Sequence, residues 1–224
     1  MQQDYQGIVL FGPPGVGKGA QASILSRHHG LPHLSTGNLI RDEIERGTDL
    51  GQRLAEAVNR GEFADDETVL SMVMSRIDTP EFHSGFVMDG FPRNVPQARM
   101  LDDLLAERGL RVSSALFISA PDEVVLRRLL GRRICSTCQR DYHEEFKRSK
   151  TPGICDLCGG VLKRRHDDDP ATHRERLSTY RRQTEPLVEY YERAGLLRRI
   201  NGDQTIEKVA KEISEALGKV GAGR

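Results

Sequence analysis

The run Gly7-Ile-Val-Leu-Phe-Gly12-Pro-Pro-Gly15-Val-Gly17-Lys18-Gly19 decides the fold. Gly7–Phe11 reads as a short buried strand, the glycine-proline segment as a tight turn, and Gly17–His29 as the helix that follows. In such a loop the backbone N–H groups converge on one point, and the helix N-terminus adds partial positive charge. Glycine is needed where the chain turns tightly and approaches a ligand closely. Lys18 brings an ammonium to the same point, the chemistry of a polyphosphate site. A glycine turn that merely joins strand to helix is the alternative, and the lysine in this context argues against it. Gly19 stands where such loops usually carry Ser or Thr for Mg²⁺. A magnesium ion would therefore be held by phosphate oxygens and water, with a carboxylate such as Asp89 behind the water.

Outward from this run, strand and helix signals alternate, which predicts an α/β fold with a parallel sheet covered by helices. His33–Ser35, Phe86–Met88, Ala115–Ile118 and Leu196–Ile200 are the further strands. A polar helical stretch runs from Thr36 to Arg60, broken near Gly47 and Gly61. Asp65 or Asp66 caps a helix through Val69, Leu70, Val73 and Ile77. Pro96 sits in the first turn of another helix, and Pro121–Leu130 and Ile206–Leu217 are helices. Helical signal also resumes from Ala171. Between 131 and about 168, cysteines, glycines and charges replace regular periodicity, so this segment reads as an insertion.

The 224 residues carry 33 basic and 33 acidic side chains and no tryptophan. Zero net charge and few aromatics exclude the general footprint of a nucleic-acid-binding protein. No apolar run is long enough to span a bilayer, and the polar start lacks the features of a signal peptide. No nucleic acid or membrane partner is expected. Basic residues nevertheless cluster at Arg127, Arg128, Arg132 and Arg133 and at Lys163, Arg164 and Arg165, which suits a small, highly charged ligand. His166 and His173 read as surface residues.

All four cysteines fall in two CxxC pairs, Cys135/Cys138 and Cys155/Cys158, separated by 16 residues. Two such turns can complete a tetrahedron around Zn²⁺, with no open position for catalysis. A segment of about 38 residues is too small to build its own core, so a structural metal would supply its folding free energy. Reduced pairs without metal, a redox switch and a nucleic-acid-binding zinc ribbon are weaker readings of the same cysteines.

Further strings carry a resemblance. Gly17-Lys18-Gly19 is what nucleoside monophosphate kinases carry, and four other segments resemble the adenylate kinase family. They are Ser35-Thr36-Gly37-Asn38 with Arg41; Asp89-Gly90-Phe91-Pro92-Arg93 with Pro96-Gln97; Gly131-Arg132-Arg133; and Arg165-His166-Asp167-Asp168 with Arg176 beyond. The resemblance spans nearly the whole chain. It implies a P-loop nucleoside triphosphate hydrolase-like fold with a parallel five-stranded sheet. The core would be residues 1–34, 65–130 and 169–224, with a helical AMP-binding arm at 35–64 and a zinc-bearing lid at 131–168. It implies Mg-dependent, reversible phosphoryl transfer from ATP to AMP, giving two ADP, in a cytoplasmic monomer.

The resemblance also implies roles. Lys18, Asp89, Arg93, Arg132, Arg165 and Arg176 would be catalytic. ATP would lie on Gly15, Val16, Gly17, Lys18, Gly19, Ala20, Arg128 and Arg132, with Asp141, Tyr142 and Gln204 near its adenine. AMP would be held by Arg41, Arg93, Arg165 and Arg176, beside Gly90, Phe91 and Pro92. Its adenine would be read by Thr36 and Gln97, near Glu62, Phe63 and Ala64. Three positions depart from the family pattern: Ala20 where threonine is usual, Asn38 where aspartate is common, and Gln204 where lysine is frequent. A related kinase with UMP or CMP as acceptor or GTP as donor, a P-loop switch or ATPase, and a pure zinc-binding module are the rival readings.

Overall fold

The structure, a computed structural model, describes residues 7–60, 62–164 and 170–218. Strand β1 (Gly7–Phe11) is buried along its whole length, as a strand covered on both faces must be. Its side chains alternate: Ile8 and Leu10 enter one hydrophobic cluster, Val9 and Phe11 the other. Around it stand β2 (His33–Ser35), β3 (Phe86–Asp89), β4 (Ser114–Ser119) and β8 (Leu197–Asn201), in the order β2-β3-β1-β4-β8. All pairings are parallel. This is the expected five-stranded sheet.

β1 lies between β3 and β4, with Leu10 opposite Asp89 and Phe11 opposite Phe117. The chain leaves β1 toward one side of the sheet and later crosses to the other. A crevice therefore opens at the carboxyl ends of these strands, where open α/β sheets bind ligands. On one face α1 (Lys18–His29) and α9 (Ile206–Gly218) bury Leu25, Ile213 and Leu217 against Ile8, Leu10 and Val87. On the other, α4 (Asp66–Ile77), α5 (Val95–Ala106) and α8 (Leu187–Arg193) bury Val73, Leu101 and Tyr191 against Val9, Phe11 and Met88.

The polar stretch after β2 forms α2 (Thr36–Glu45) and α3 (Asp49–Asn59), broken at Gly47 as expected. Thr48 caps α3 by accepting the Gly51 N–H at 3.0 Å. A Cβ on Gly51 would stand 2.3 Å from the Glu43 carbonyl oxygen, so the close approach of the two helices requires glycine. After α6 (Asp122–Leu130) the insertion folds as a separate antiparallel sheet. Its strands are β5 (Arg132–Cys135), β6 (Asp141–His143) and β7 (Leu162–Lys163), in the order β6-β5-β7. Among the described residues, no helix is long and apolar enough to cross a membrane.

Two expectations change. The last strand starts at Leu197, because the Leu196 N–H is spent on the Tyr191 carbonyl in the preceding turn. His173 is buried, not at the surface, with 3% of its area exposed. It lies on α7 (Pro170–Thr179) three residues before Arg176 and seven before the buried Tyr180, and that spacing puts all three on one helix face. That face turns inward although the helix is polar in composition. A π-helical turn, Tyr180–Thr184, follows α7 and was not legible in the sequence. His166 lies outside the described residues.

Candidate nucleotide site and metal centre

A cleft of about 1300 Å³ opens at the carboxyl end of the sheet, between the loop after β1, α2 and the insertion. The loop supplies Gly15, Val16 and Gly17 to its wall, and the start of α1 supplies Lys18, Gly19 and Ala20. Gly17 precedes α1 with φ 108°, a left-handed conformation that only glycine adopts without strain, and no side chain caps the helix. The first turn of α1 thus presents its N–H groups to the cleft, where they can bind an anion. Lys18 Nζ donates to the carbonyls of Gly12 and Pro13, both at 2.9 Å, and so folds back across the loop.

Although part of its surface faces the cleft, Lys18 is closely surrounded by protein. That desolvation lowers its pKa to about 8; Asp89 opposes the shift, and Arg93, Arg132 and Arg176 reinforce it. The same burial lowers Arg93 to about 10, helped by Arg176 and Arg41 and opposed by Asp89. The residues that the resemblance groups as phosphate clamps therefore share one electrostatic environment. Nine described guanidinium groups line the cleft, those of Arg41, Arg93, Arg128, Arg132 and Arg176 among them. Cations gathered this closely suit an anionic ligand. Arg165 lies outside the described residues.

Arg93 is held from several sides. Its Nε donates to the Gly90 carbonyl at 2.7 Å, and the Phe63 ring lies 4.5 Å from its guanidinium carbon. Its carbonyl accepts from Thr184 Oγ1 at 2.7 Å, and its N–H donates to Gln97 Oε1 at 2.7 Å. The other end of the Gln97 amide donates to Asp66 Oδ1 at 2.6 Å, and Asn94 Nδ2 donates to the same carboxylate. Gln97, Thr36 and Phe91 are buried behind the cleft wall and do not line it, whereas Glu62, Phe63, Ala64, Gly90 and Pro92 do. Arg41 donates to Asn38 Oδ1, so the amide that replaces the usual carboxylate still binds this guanidinium.

At the opposite end, Arg128 donates to the carbonyls of Val16 at 3.2 Å, Gly202 at 2.7 Å and Gln204 at 2.9 Å. It braces the loop after β1 against the loop before α9, and its guanidinium carbon lies 5.8 Å from the Phe146 ring. Gln204 spends its side-chain amide on the Asn201 carbonyl at 3.0 Å and on Glu212 at 2.5 Å. Asp141 and Asp89 both reach over the start of α1: a Cβ on Gly19 would lie 3.4 Å from Asp89 Oδ2 and 3.8 Å from Asp141 Oδ2. His33 also lines the cleft, and burial lowers its pKa against the pull of Asp89 and Asp141. Asp66, Thr184, His33 and Phe146 were missed from the sequence. A capping aspartate and a polar strand end gave the only signals for the first and third.

The four cysteines come together in the insertion, their sulfurs all within 4.8 Å of one another. Cys135 Sγ lies 3.4 Å from Cys158 Sγ, and Cys138 Sγ lies 3.6 Å from Cys155 Sγ. Disulfide sulfurs would be about 2.05 Å apart. Thiolates bound at about 2.3 Å on a tetrahedral zinc ion would be about 3.8 Å apart. The spacing and the all-sulfur donor set fit a closed metal site. Backbone N–H groups of Thr137 and Leu157 point at Cys135 and Cys155, both at 3.4 Å, which suits bound thiolates.

Comparison with known proteins agrees with this geometry. The family model for adenylate kinase matches residues 10–196. The chain belongs to the adenylate kinase family. It is 42% identical over 213 residues to the adenylate kinase of Acetivibrio thermocellus, covering 95% of this chain and 98% of that one. It is 43% identical over 212 residues to that of Desulforudis audaxviator and over 213 residues to that of Clostridium acetobutylicum. Each match covers 95% of this chain and 99% of the relative. The departures from the adenylate kinase pattern noted above leave Lys18, Arg41, Arg93, Arg132 and Arg176 in the cleft.

Proposed function

We propose that the chain is an ATP:AMP phosphotransferase, which moves the terminal phosphoryl group of Mg-ATP to AMP and forms two ADP. The observation that carries the reading is one cleft with two cationic ends. Lys18 and the open start of α1 form one, and Arg41 with the braced Arg93 forms the other. A hydrolase would need only the first. Arg132 and Arg176 lie between them electrostatically, since both act on Lys18 and Arg176 also acts on Arg93.

In this account ATP lies along Gly15–Ala20, with its base toward Arg128, Asp141, Tyr142 and Gln204. Arg128 shapes that end of the cleft by bracing its loops. AMP lies between α2 and the segment Gly90–Arg93, beside Glu62–Ala64. Thr36 and Gln97 set its base preference from behind the wall, Gln97 by fixing Arg93. Arg165, in the segment closing the insertion, joins the clamp.

The acceptor phosphate of AMP is already an anionic nucleophile, so no general base is required. Catalysis is alignment plus charge stabilisation, in a cleft from which water is excluded when the lid and arm close. Magnesium bound with ATP would neutralise phosphate charge, and Asp89 is placed to hold its water. Zinc on Cys135, Cys138, Cys155 and Cys158 would hold the lid, residues 131–168, in shape without joining the reaction. The core would be 1–34, 65–130 and 169–224, and the arm 35–64, in a monomer of the cytoplasm.

Initial rates of ADP formation with AMP, UMP, CMP and GMP as acceptors test the assignment. AMP is expected to dominate; an equal rate with UMP or CMP would move the chain to another acceptor.

A further inference from the structure

Tyr142 Oη lies 2.8 Å from the Asp156 N–H and 3.4 Å from Cys155 Sγ. An amide N–H can only donate, so the phenolic oxygen accepts there and keeps its own hydrogen for another acceptor. The Cys155 sulfur stands where that hydrogen can go. The ring is 4% exposed and packs with Cys135 and Cys155 in the small core of the insertion. Four thiolates around one divalent cation leave net negative charge, and those of Cys135 and Cys155 are buried. Hydrogen bonds to sulfur offset that charge and fix the ligands. Cys155 receives one from the Leu157 N–H and has Tyr142 in position to give a second.

We propose that Tyr142 is a positioning residue of the metal centre, whose hydroxyl donates to the Cys155 thiolate and thereby raises metal affinity. The proposal rests on the four-cysteine metal reading. It also joins the metal to the nucleotide cleft through one short strand. On β6, Tyr142 turns to the cysteines while the preceding Asp141 reaches over Gly19 at the start of α1. A disturbance at the metal would thus reach the floor of the ATP site through two adjacent residues.

The full chain is loaded with Co²⁺, whose sulfur-to-metal charge-transfer band reports on the thiolates. Zn²⁺ affinity is measured in parallel by competition with a chromophoric chelator. Tyr142→Phe is expected to weaken zinc by about 10–100-fold. It should also move the cobalt band to longer wavelength, because a sulfur without its hydrogen bond gives up an electron more easily. A 3-fluorotyrosine at position 142 keeps the ring and is the stronger donor, so the band should move to shorter wavelength. This second comparison decides the matter if the phenylalanine variant does not fold. An unmoved band and unchanged affinity in both variants would overturn the inference and leave the four-cysteine reading standing. A wild-type chain with no tetrahedral thiolate spectrum would overturn that reading, and the inference with it.

Discussion

Gln139 Nε2 donates to Glu45 Oε1 at 2.6 Å, tying the cysteine-bearing insertion to the end of α2 across 94 positions of sequence. Gln139 has φ 55°, the only left-handed non-glycine residue among those described, and it follows Cys138 directly. The turn that gathers the cysteines also aims this side chain at the end of α2. If the lid and arm move apart as proposed, this contact breaks. Gln139→Ala and Glu45→Ala should each raise KM for both nucleotides by about 2–5-fold, an exposed hydrogen bond being worth about 1 kcal/mol or less. The double variant should match the singles. Fully additive effects in this cycle would show that the two residues act separately.

Lys18 makes the nucleotide-free protein sensitive to alkali in a definite direction. The folded chain releases the Lys18 proton near pH 8, whereas the unfolded chain keeps it to the ordinary lysine value near 10.5. Between these values the unfolded state binds more protons, so this group makes stability rise with pH, and below pH 8 its penalty is constant. The stability of wild type minus that of Lys18→Met should therefore increase from pH 8 to pH 10, by up to a few kcal/mol (order of magnitude). Chemical denaturation of both proteins at matched pH measures it. A constant difference would mean that Lys18 is not desolvated in the empty cleft.

Asp66 supports Arg93 without lining the cleft, through Gln97 and Asn94. Asp66→Ala leaves two amides short of an acceptor and should cost about 1–3 kcal/mol of stability. KM for AMP should rise more than KM for ATP, because the disturbed network ends at Arg93. Equal changes in both constants would contradict this chain of positioning.

Removal of the metal should loosen the insertion selectively. With chelator present, amide exchange over residues 132–163 should accelerate by ~100-fold or more, while the five-stranded sheet keeps its protection. Cys135→Ser should behave likewise and lower the melting temperature. Unchanged exchange and melting would mean that the cysteines carry no structural ion.

Local features carried most of the fold. The loop after β1, the helix breaks at Gly47 and the paired CxxC turns are short-range signals, and their elements lie where the periodicity and turn residues put them. The burial of His173 was hidden because α7 is polar in composition, and its inward face is set by what packs on it. The hydrogen bonds of Gln97 were not legible, because its spacing from Arg93 does not reveal that Asp66, 31 residues earlier, accepts from its amide. The three carbonyls that Arg128 braces were equally hidden, since an arginine beside a phosphate loop carries no local sign of them. Such contacts depend on tertiary closure and leave no local pattern.

The stoichiometry of the reaction tests the central claim most directly: ADP formed per ATP consumed, with AMP present and with AMP omitted. Transfer between two cationic ends predicts two ADP per ATP with AMP, no free phosphate, and no turnover without it. Lys18→Met should reduce that rate by about 100-fold or more. One ADP and one phosphate per ATP, formed equally with or without AMP, would show hydrolysis and contradict the acceptor site at Arg41 and Arg93.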